Sequence, residues 1–347
     1  MRPQIPSDIL SLGHARAAAR RNHDFREADR LRAEIEAAGY RVVDRGRDFA
    51  LFPAHPDDVV EEDGRVRAGW SGAVPSALDD PATGLATLVI VAQRDPAPVR
   101  RTLAGLRTHA PAGTHIVIVA APDPDLEAAL TPDDLLAPVA GEAPEVVWTA
   151  VPLRPVAARN AGGRRARADV VAWLQPGAEV TGDIVTPVVA ALADPTVGVA
   201  GAIGLHGTDI RHLDAGPAGD AVAIDRTLLA FRRDDLRAIG PIDEHFFGDE
   251  QADVWWSLLL RDGPPEPEPD AADADTGPDA DGDDEADAWA PRRALALDLP
   301  IDPVPAVALE AEPVDPAEAA RRRKRDLYRV IDGSTGRPDL LAVPSPA

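Results

Sequence analysis

Between residues 86 and 174 the chain alternates short, continuous apolar runs with stretches in which apolar residues recur every three or four positions. Thr87 to Ala92 (TLVIVA), His115 to Ala121 (HIVIVAA), Glu145 to Val151 and Val170 to Leu174 (VVAWL) are too short for buried helices and rich in β-branched residues, so each is predicted to be a strand. Pro98 to His109 places Val99, Leu103 and Leu106 on one side of a helix. Leu126 to Leu136 and Val156 to Asp169 are the next helical stretches. This alternation predicts βαβ units and an α/β fold, a mostly parallel sheet flanked by helices. Ligands of such sheets sit beyond the carboxyl ends of the strands. For VVAWL that end is the turn Gln175-Pro176-Gly177-Ala178-Glu179.

A different texture precedes this region. Ser7 to Arg21 and Phe25 to Ala38 read as a helical hairpin, with Asp24 and Glu27 as a capping-box start and Gly39 at the helix end. Ala28, Leu31, Ile35 and Ala38 form one apolar face, and a β-hairpin about Arg45-Gly46 should follow. Residues 54–84, rich in Pro, Gly, Asp and Glu without a sustained period, read as a linker whose Trp70 is expected to tuck against a neighbouring domain. His14, His23 and His55 lack the spacing of metal ligands.

Composition narrows the chemistry. There is no cysteine among the 347 residues, which removes thiolate metal sites, disulfides and cysteine nucleophiles. The start of the chain shows no secretion signal and no apolar run reaches membrane-span length, so the expectation is a cytoplasmic protein. The net charge is −23, and residues 264–290 carry eleven acidic residues and no basic one. That Pro, Asp and Ala-rich stretch reads as a disordered acidic insert. The domain plan is therefore a helical hairpin with its β-hairpin (1–53), the linker (54–84), an α/β domain (85–263), the insert (264–290) and a completing segment with a basic helix (291–341).

Two resemblances sharpen the reading. The segment ARAAARRNHDFREADRLRAEIEAAGYRVVD resembles the small C-terminal helical region of cysteinyl-tRNA synthetases, over about 35 residues. It brings no catalytic residue. A basic face of Arg16, Arg20, Arg21 and Arg30 suits either RNA phosphates or plain solvation, and the acidic bulk of the chain argues against nucleic acid.

The second covers about 250 residues. TLVIVAQRDPAPVRRTLAGL, VAARNAGGRRARADVVAWL, DPTVGVAG, LLAFRRDDLRAIGPIDEHFF, DEQADVWWSLLLRDG and ARRRKRDLYRVIDGSTGRPDLL, in that order, resemble a family 2 glycosyltransferase of an actinobacterial-type subgroup. The resemblance implies a GT-A-like (nucleotide-diphospho-sugar transferase) fold. It also implies inverting transfer of a sugar from a nucleotide-sugar donor to a hydroxyl of a glycan or lipid-linked acceptor. A site for that reaction needs a positive group on the leaving diphosphate, a recess for base and ribose, and a carboxylate base.

Carried over residue by residue, the resemblance makes Asp253 the catalytic base, with Glu250 and then Asp249 next. Arg159, Asn160, Gln175, Gly177, Arg94 and Asp123 fall on the donor side. Trp255 and Trp256 fall on the acceptor side, and their 100° separation on a helix allows only one of them into a pocket. The family's two metal-binding aspartates are replaced by Gln175 and Gly177, so the Mg2+ or Mn2+ cofactor has only Glu179 as a nearby carboxylate. Ile301 to Glu310 supplies no histidine in its place. Arg164, Arg165 and Arg167 are candidates for a positive surrogate, and Asp243 and Glu244 for a turn orienting Phe246 and Phe247. The run Arg321 to Arg325 reads as a basic helix end that suits solvent or a peripheral contact with an anionic membrane. Three functional readings follow: a glycosyltransferase with a degenerate metal site, a non-catalytic binding or scaffold protein on the same fold, and an RNA-associated protein acting through the N-terminal hairpin.

Overall fold

The computed structural model describes residues 5–45, 48–263, 289–303 and 315–334. Most of the predicted acidic insert, residues 264–288, lies outside them, as does most of the Ile301 to Glu310 segment. The chain forms two compact units that divide between Trp70 and Ser71.

The first unit contains helices α1 (Ser7–Arg21) and α2 (Phe25–Ala37), followed by strands β1 (Tyr40–Arg45), β2 (Asp48–Pro53), β3 (Val59–Val60) and β4 (Val66–Arg67). The predicted helical hairpin and β-hairpin are both present. Asp24 caps α2 by accepting from Glu27 N–H, and buried Ile9, Ala28, Leu31 and Ile35 form the apolar seam. Arg16, a member of the presumed basic face, is instead buried and bonded to Asp44 at 2.7 Å. Trp70 stacks on His55, the ring centroids 4.0 Å apart and nearly parallel.

The second unit is built on β5 (Ala86–Ala92), α3 (Pro96–His109), β6 (Thr114–Ala120), α4 (Pro124–Ala129), β7 (Glu145–Trp148), α5 (Pro155–Gly163), β8 (Val170–Leu174), β9 (Glu179–Val180) and α6 (Val185–Leu192). There follow β10 (Val197–Gly201), β11 (Gly204–Asp209), β12 (His212–Gly216), β13 (Gly219–Ala221), β14 (Ala223–Ile224), β15 (Leu228–Arg232), α7 (Arg233–Ile239), α8 (Asp249–Asp262), β16 (Arg293–Ala296), β17 (Ile301–Asp302) and α9 (Pro316–Gly333). The central sheet has eight strands in the order β13-β16-β10-β15-β8-β5-β6-β7. Parallel pairing joins β7, β6, β5 and β8, and also β16 with β10. Strands β15 and β13 run against their neighbours. The fold is thus the expected α/β arrangement with a mostly parallel sheet between helices.

Burial on both faces explains the continuous apolar runs, since every residue of β5, β6, β8 and β10 is buried. Alternate residues serve opposite layers. Leu88, Ile90, Ile118 and Ala172 join Val99, Leu103 and Leu106 of α3, Leu126 of α4 and Val188 of α6 in one core. On the other face Trp173, Phe231 of β15 and Trp256 of α8 form an aromatic cluster with centroid separations of 4.7, 5.5 and 5.8 Å.

Two helices are shorter than their sequences suggest. The stretch Leu126 to Leu136 is helical only to Ala129. Helix α5 ends at Gly163 rather than Asp169, because its closing glycines serve close packing rather than helix propagation. A Cβ on Gly162 would run into Val89, and Arg167 and Ala168 N–H turn away to donate to Thr87 Oγ1 at 3.0 and 3.1 Å. Residues 71–84, read from composition as linker, belong to the second unit. Ala77 N–H donates to Arg164 O and Thr83 N–H to Arg167 O, both at 2.7 Å.

Candidate functional site

The site is assembled at the carboxyl edge of β8 from three elements. The first is the turn after β8. Gln175 is buried and its N–H donates to Thr227 O at 3.1 Å, while Gly177 takes the left-handed φ of 95° that closes the turn. The hydroxyl of Thr102, buried on α3, holds this turn from below. It accepts from Gly177 N–H at 2.9 Å and donates to Ala178 O at 3.0 Å. Gly177 therefore has no free N–H for a donor, whereas Gln175 and Pro176 line a small cavity of about 10 Å³ with Pro155, Arg159, Trp173 and Asp249. Thr102→Val is expected to orphan two buried backbone groups and to cost about 1–3 kcal/mol, measured as a shift of the urea unfolding midpoint. An unchanged midpoint would show that the hydroxyl does not hold the turn.

The second element is α5, every residue of which is buried. Arg159 turns its guanidinium to Asp253 Oδ1 in a direct ion pair and lies 3.5 Å from Asp249 Oδ1. It also stands 5.5 Å from the centre of the Trp173 ring. Its neighbour Asn160 is not free to meet a donor, which corrects the reading of the RN pair. Asn160 Nδ2 donates to Ile242 O at 2.8 Å and Glu244 Oε1 at 3.0 Å, and its Oδ1 accepts from Ile242 N–H at 3.0 Å. Ser71 Oγ also donates to Glu244 Oε1. The Ile242–Glu244 turn is thereby locked, and Phe246 behind it is fully buried.

The third element is the start of α8. Asp249 and Asp253, one turn apart, are 4% and 1% exposed and share the single guanidinium of Arg159. Two buried carboxyl groups thus face one guanidinium. Burial pushes the Asp253 carboxyl up to about 7, the nearby Asp249 adds to the rise, and Arg159 opposes both. A helix N-terminus alone would hold the group low, so burial overrides the helix dipole here. Asp253 Oδ2 makes no hydrogen bond among the described residues. Asp253 also lines a cavity of about 260 Å³ with Glu250, Gln251 and Val254 of α8, Asp225 and Arg226, and Leu205, Ile210, Arg211 and Leu213 around the β11–β12 hairpin. Glu250 is exposed at this cavity.

Other sequence candidates lie elsewhere. Trp256 is a core residue, 0% exposed, which corrects its reading as an acceptor contact; the helical turn that buries it leaves Trp255 part-exposed against Gly333 of α9. Asp123 accepts from Asp125 and Leu126 N–H and caps α4. Arg94 is exposed in the turn after β5. Arg164 donates to Val74 O at 2.6 Å, and Arg165 bonds Glu145 at 2.5 Å and Pro75 O at 2.9 Å. Those two therefore tie residues 71–84 and β7 to the end of α5 instead of serving a diphosphate. Arg167 lies 3.9 Å from Glu145.

The residues present do not fit a divalent cation. The turn after β8 offers Gln175, Pro176 and Gly177, none of them a carboxylate, and Glu179 is exposed in a two-residue ladder opposite Asp302. No group of three His, Cys, Asp or Glu side chains able to hold a metal occurs among the described residues.

No family model matches the chain. Over 51 residues, 15% of this chain and 11% of the relative, it is 41% identical to cysteine–tRNA ligase of Opitutus terrae. Among solved structures, mannosyltransferase PcManGT from Pyrobaculum calidifontis, in complex with GDP-Man and Mn2+, is similar with a TM-score of 0.45 and 17% identity over 74% of this chain and 67% of that one. GalNAc-T7 with UDP, GalNAc and Mn2+ gives 0.43 and 15% over 52% and 40%. TarS 1–349 of S. aureus in complex with UDP gives 0.40 and 12% over 50% and 54%. The chain thus spans about a tenth of the ligase and about half or less of the last two structures.

Proposed function

We propose that the protein is a glycosyltransferase of GT-A-like fold that moves a sugar from a nucleotide-sugar donor to an acceptor hydroxyl with inversion. The observation that carries this reading is Asp253: one oxygen is anchored by Arg159, the other is buried without a hydrogen bond among the described residues, the residue lines a 260 Å³ cavity, and its carboxyl is pushed up toward neutral pH. A carboxyl in that range can accept a proton at working pH and release it again. In the proposed step the acceptor hydroxyl proton passes to Asp253, the acceptor oxygen forms its bond to the anomeric carbon, and the bond from that carbon to the diphosphate breaks. The nucleoside diphosphate leaves with the electron pair. No metal ion enters this step, because the chain offers no carboxylate pair to hold one at the Gln175–Gly177 turn.

A second reading, a nucleotide-sugar-binding protein without turnover, draws on that same turn. Incubation with UDP-, GDP- and dTDP-sugars in EDTA, followed by chromatographic detection of released nucleoside diphosphate and by titration calorimetry, separates the two. Release that depends on an added glycan or lipid-linked acceptor is the expected outcome. Binding without release would support the second reading, and neither binding nor release from any donor would refute both.

A further inference from the structure

Three guanidinium groups surround one phenyl ring just before α8, the helix that carries Asp253. The guanidinium of Arg154 lies 4.9 Å from the centre of Phe247, that of Arg322 at 5.4 Å and that of Arg325 at 5.8 Å. The cations come from two places in the sequence, the N-cap of α5 and successive turns of α9, and the ring just before α8 comes from a third. Arg329 stands 5.8 Å from the neighbouring ring of Phe246. One aromatic ring attracts a cation, but it does not cancel the mutual repulsion of three.

The carboxylates packed around the group are already engaged. Glu318 holds Arg321 at 2.8 Å and Arg322 at 3.2 Å, and Asp243 holds Arg329 at 2.7 Å and His245 at 2.6 Å. Asp326, buried on α9, accepts Phe247 N–H and Gly248 N–H at 3.0 Å, which fixes the ring between the helices. Arg154 and Arg325 make no ion pair within 4 Å of a described carboxylate, although buried Asp326 attracts Arg154 from farther off, and both arginines are exposed. The first turn of α5 contains no acidic residue and its N-cap makes no side-chain bond, so the positive end of that helix adds to the same field. Arg154 also directly precedes Pro155, which lines the small cavity between Gln175, Arg159 and Asp249.

We propose that Arg154, Arg322 and Arg325, converging on Phe247, form a metal-independent cage for the diphosphate group of a nucleoside diphosphate. This rests on the transferase reading for the identity of the ligand, while the anion chemistry stands on the cage alone. Guanidinium groups bind phosphate oxygens in bidentate fashion and retain their charge at any working pH, so they stabilise a departing diphosphate where the β8 turn provides no metal ligands. The cations converge from the N-cap of α5 and from α9 on one ring, a geometry suited to a compact anion rather than to a flat anionic bilayer.

The test is calorimetric titration of the full chain in EDTA with inorganic diphosphate, UDP and GDP. Inorganic diphosphate and at least one nucleotide are expected to bind. Arg154→Ala/Arg325→Ala, both at exposed positions, should weaken each by about tenfold or more, and Arg325→Lys should recover part of the loss. Equal affinity in wild type and double variant, with unchanged circular dichroism, would overturn the cage. So would co-sedimentation with phosphatidylglycerol vesicles in the absence of any diphosphate binding, which would make the face a membrane contact. Diphosphate bound through the cage with no sugar transfer from any donor would leave the cage standing and remove the transferase reading. Turnover in a double variant that binds diphosphate normally would do the reverse.

Discussion

Asp253→Asn is expected to lower sugar transfer by about 10²–10⁴-fold while donor affinity stays near that of the wild type, because the lost carboxylate acts on the acceptor proton. In the parent protein kcat/KM should rise with pH through an apparent pKa of about 7, the region to which burial pushes Asp253. The amide should abolish that limb. Stability supplies a readout that needs no substrate. Because the folded-state pKa lies above that of the unfolded chain, the folded protein holds the extra proton, and this contribution is fully present at acid pH. It is lost as pH rises from about 4 to 7. Thermal melts from pH 5 to 8 should therefore decline more steeply for wild type than for Asp253→Asn. Parallel curves together with undiminished turnover would remove Asp253 from the mechanism.

Arg159→Met should be the most destabilising single change in the site, by about 3–5 kcal/mol, since it leaves Asp249 and Asp253 buried with no countercharge. The methionine also forfeits the cation that lies over Trp173. Urea unfolding at pH 8 would show the full loss, and at pH 5 protonation of a carboxyl should recover part of it. Combining the change with Asp253→Asn should cost less than the sum of the two single effects, because the repulsion being relieved is shared. Strict additivity would mean that Arg159 does not serve the two carboxylates as their common partner.

The features legible in the sequence were those encoded by local pattern. Runs such as TLVIVA and VVAWL became strands because a two-face-buried strand requires an unbroken apolar string. Asp24 with Glu27 marked the start of α2 because a cap is satisfied within four residues. The adjacent pair Trp255 and Trp256 was resolved only in part. Helix geometry requires them to diverge, but which one enters the core depends on Trp173 and Phe231, far away in sequence. The partners of the RN pair lie beyond any local pattern: Asn160 bonds the Ile242–Glu244 turn and Arg159 an aspartate 94 residues later. The rise in the Asp253 carboxyl was invisible for the same reason, since a helix N-terminus is a local signal and burial is not. Nothing in the sequence brought Arg154 toward Arg325, because that convergence exists only once α5, α8 and α9 share one ring.

The joint between Gly263 and Trp289 has a further implication. Gly263, with φ of 82°, ends α8 against the indole of Trp289, and Arg292 N–H donates to Arg261 O at 2.7 Å. The two chain ends flanking residues 264–288 are therefore pinned side by side before the chain enters β16. α8 and β16 thus hold their register through contacts of their own, made on either side of residues 264–288, and the number of residues between those contacts does not enter the joint.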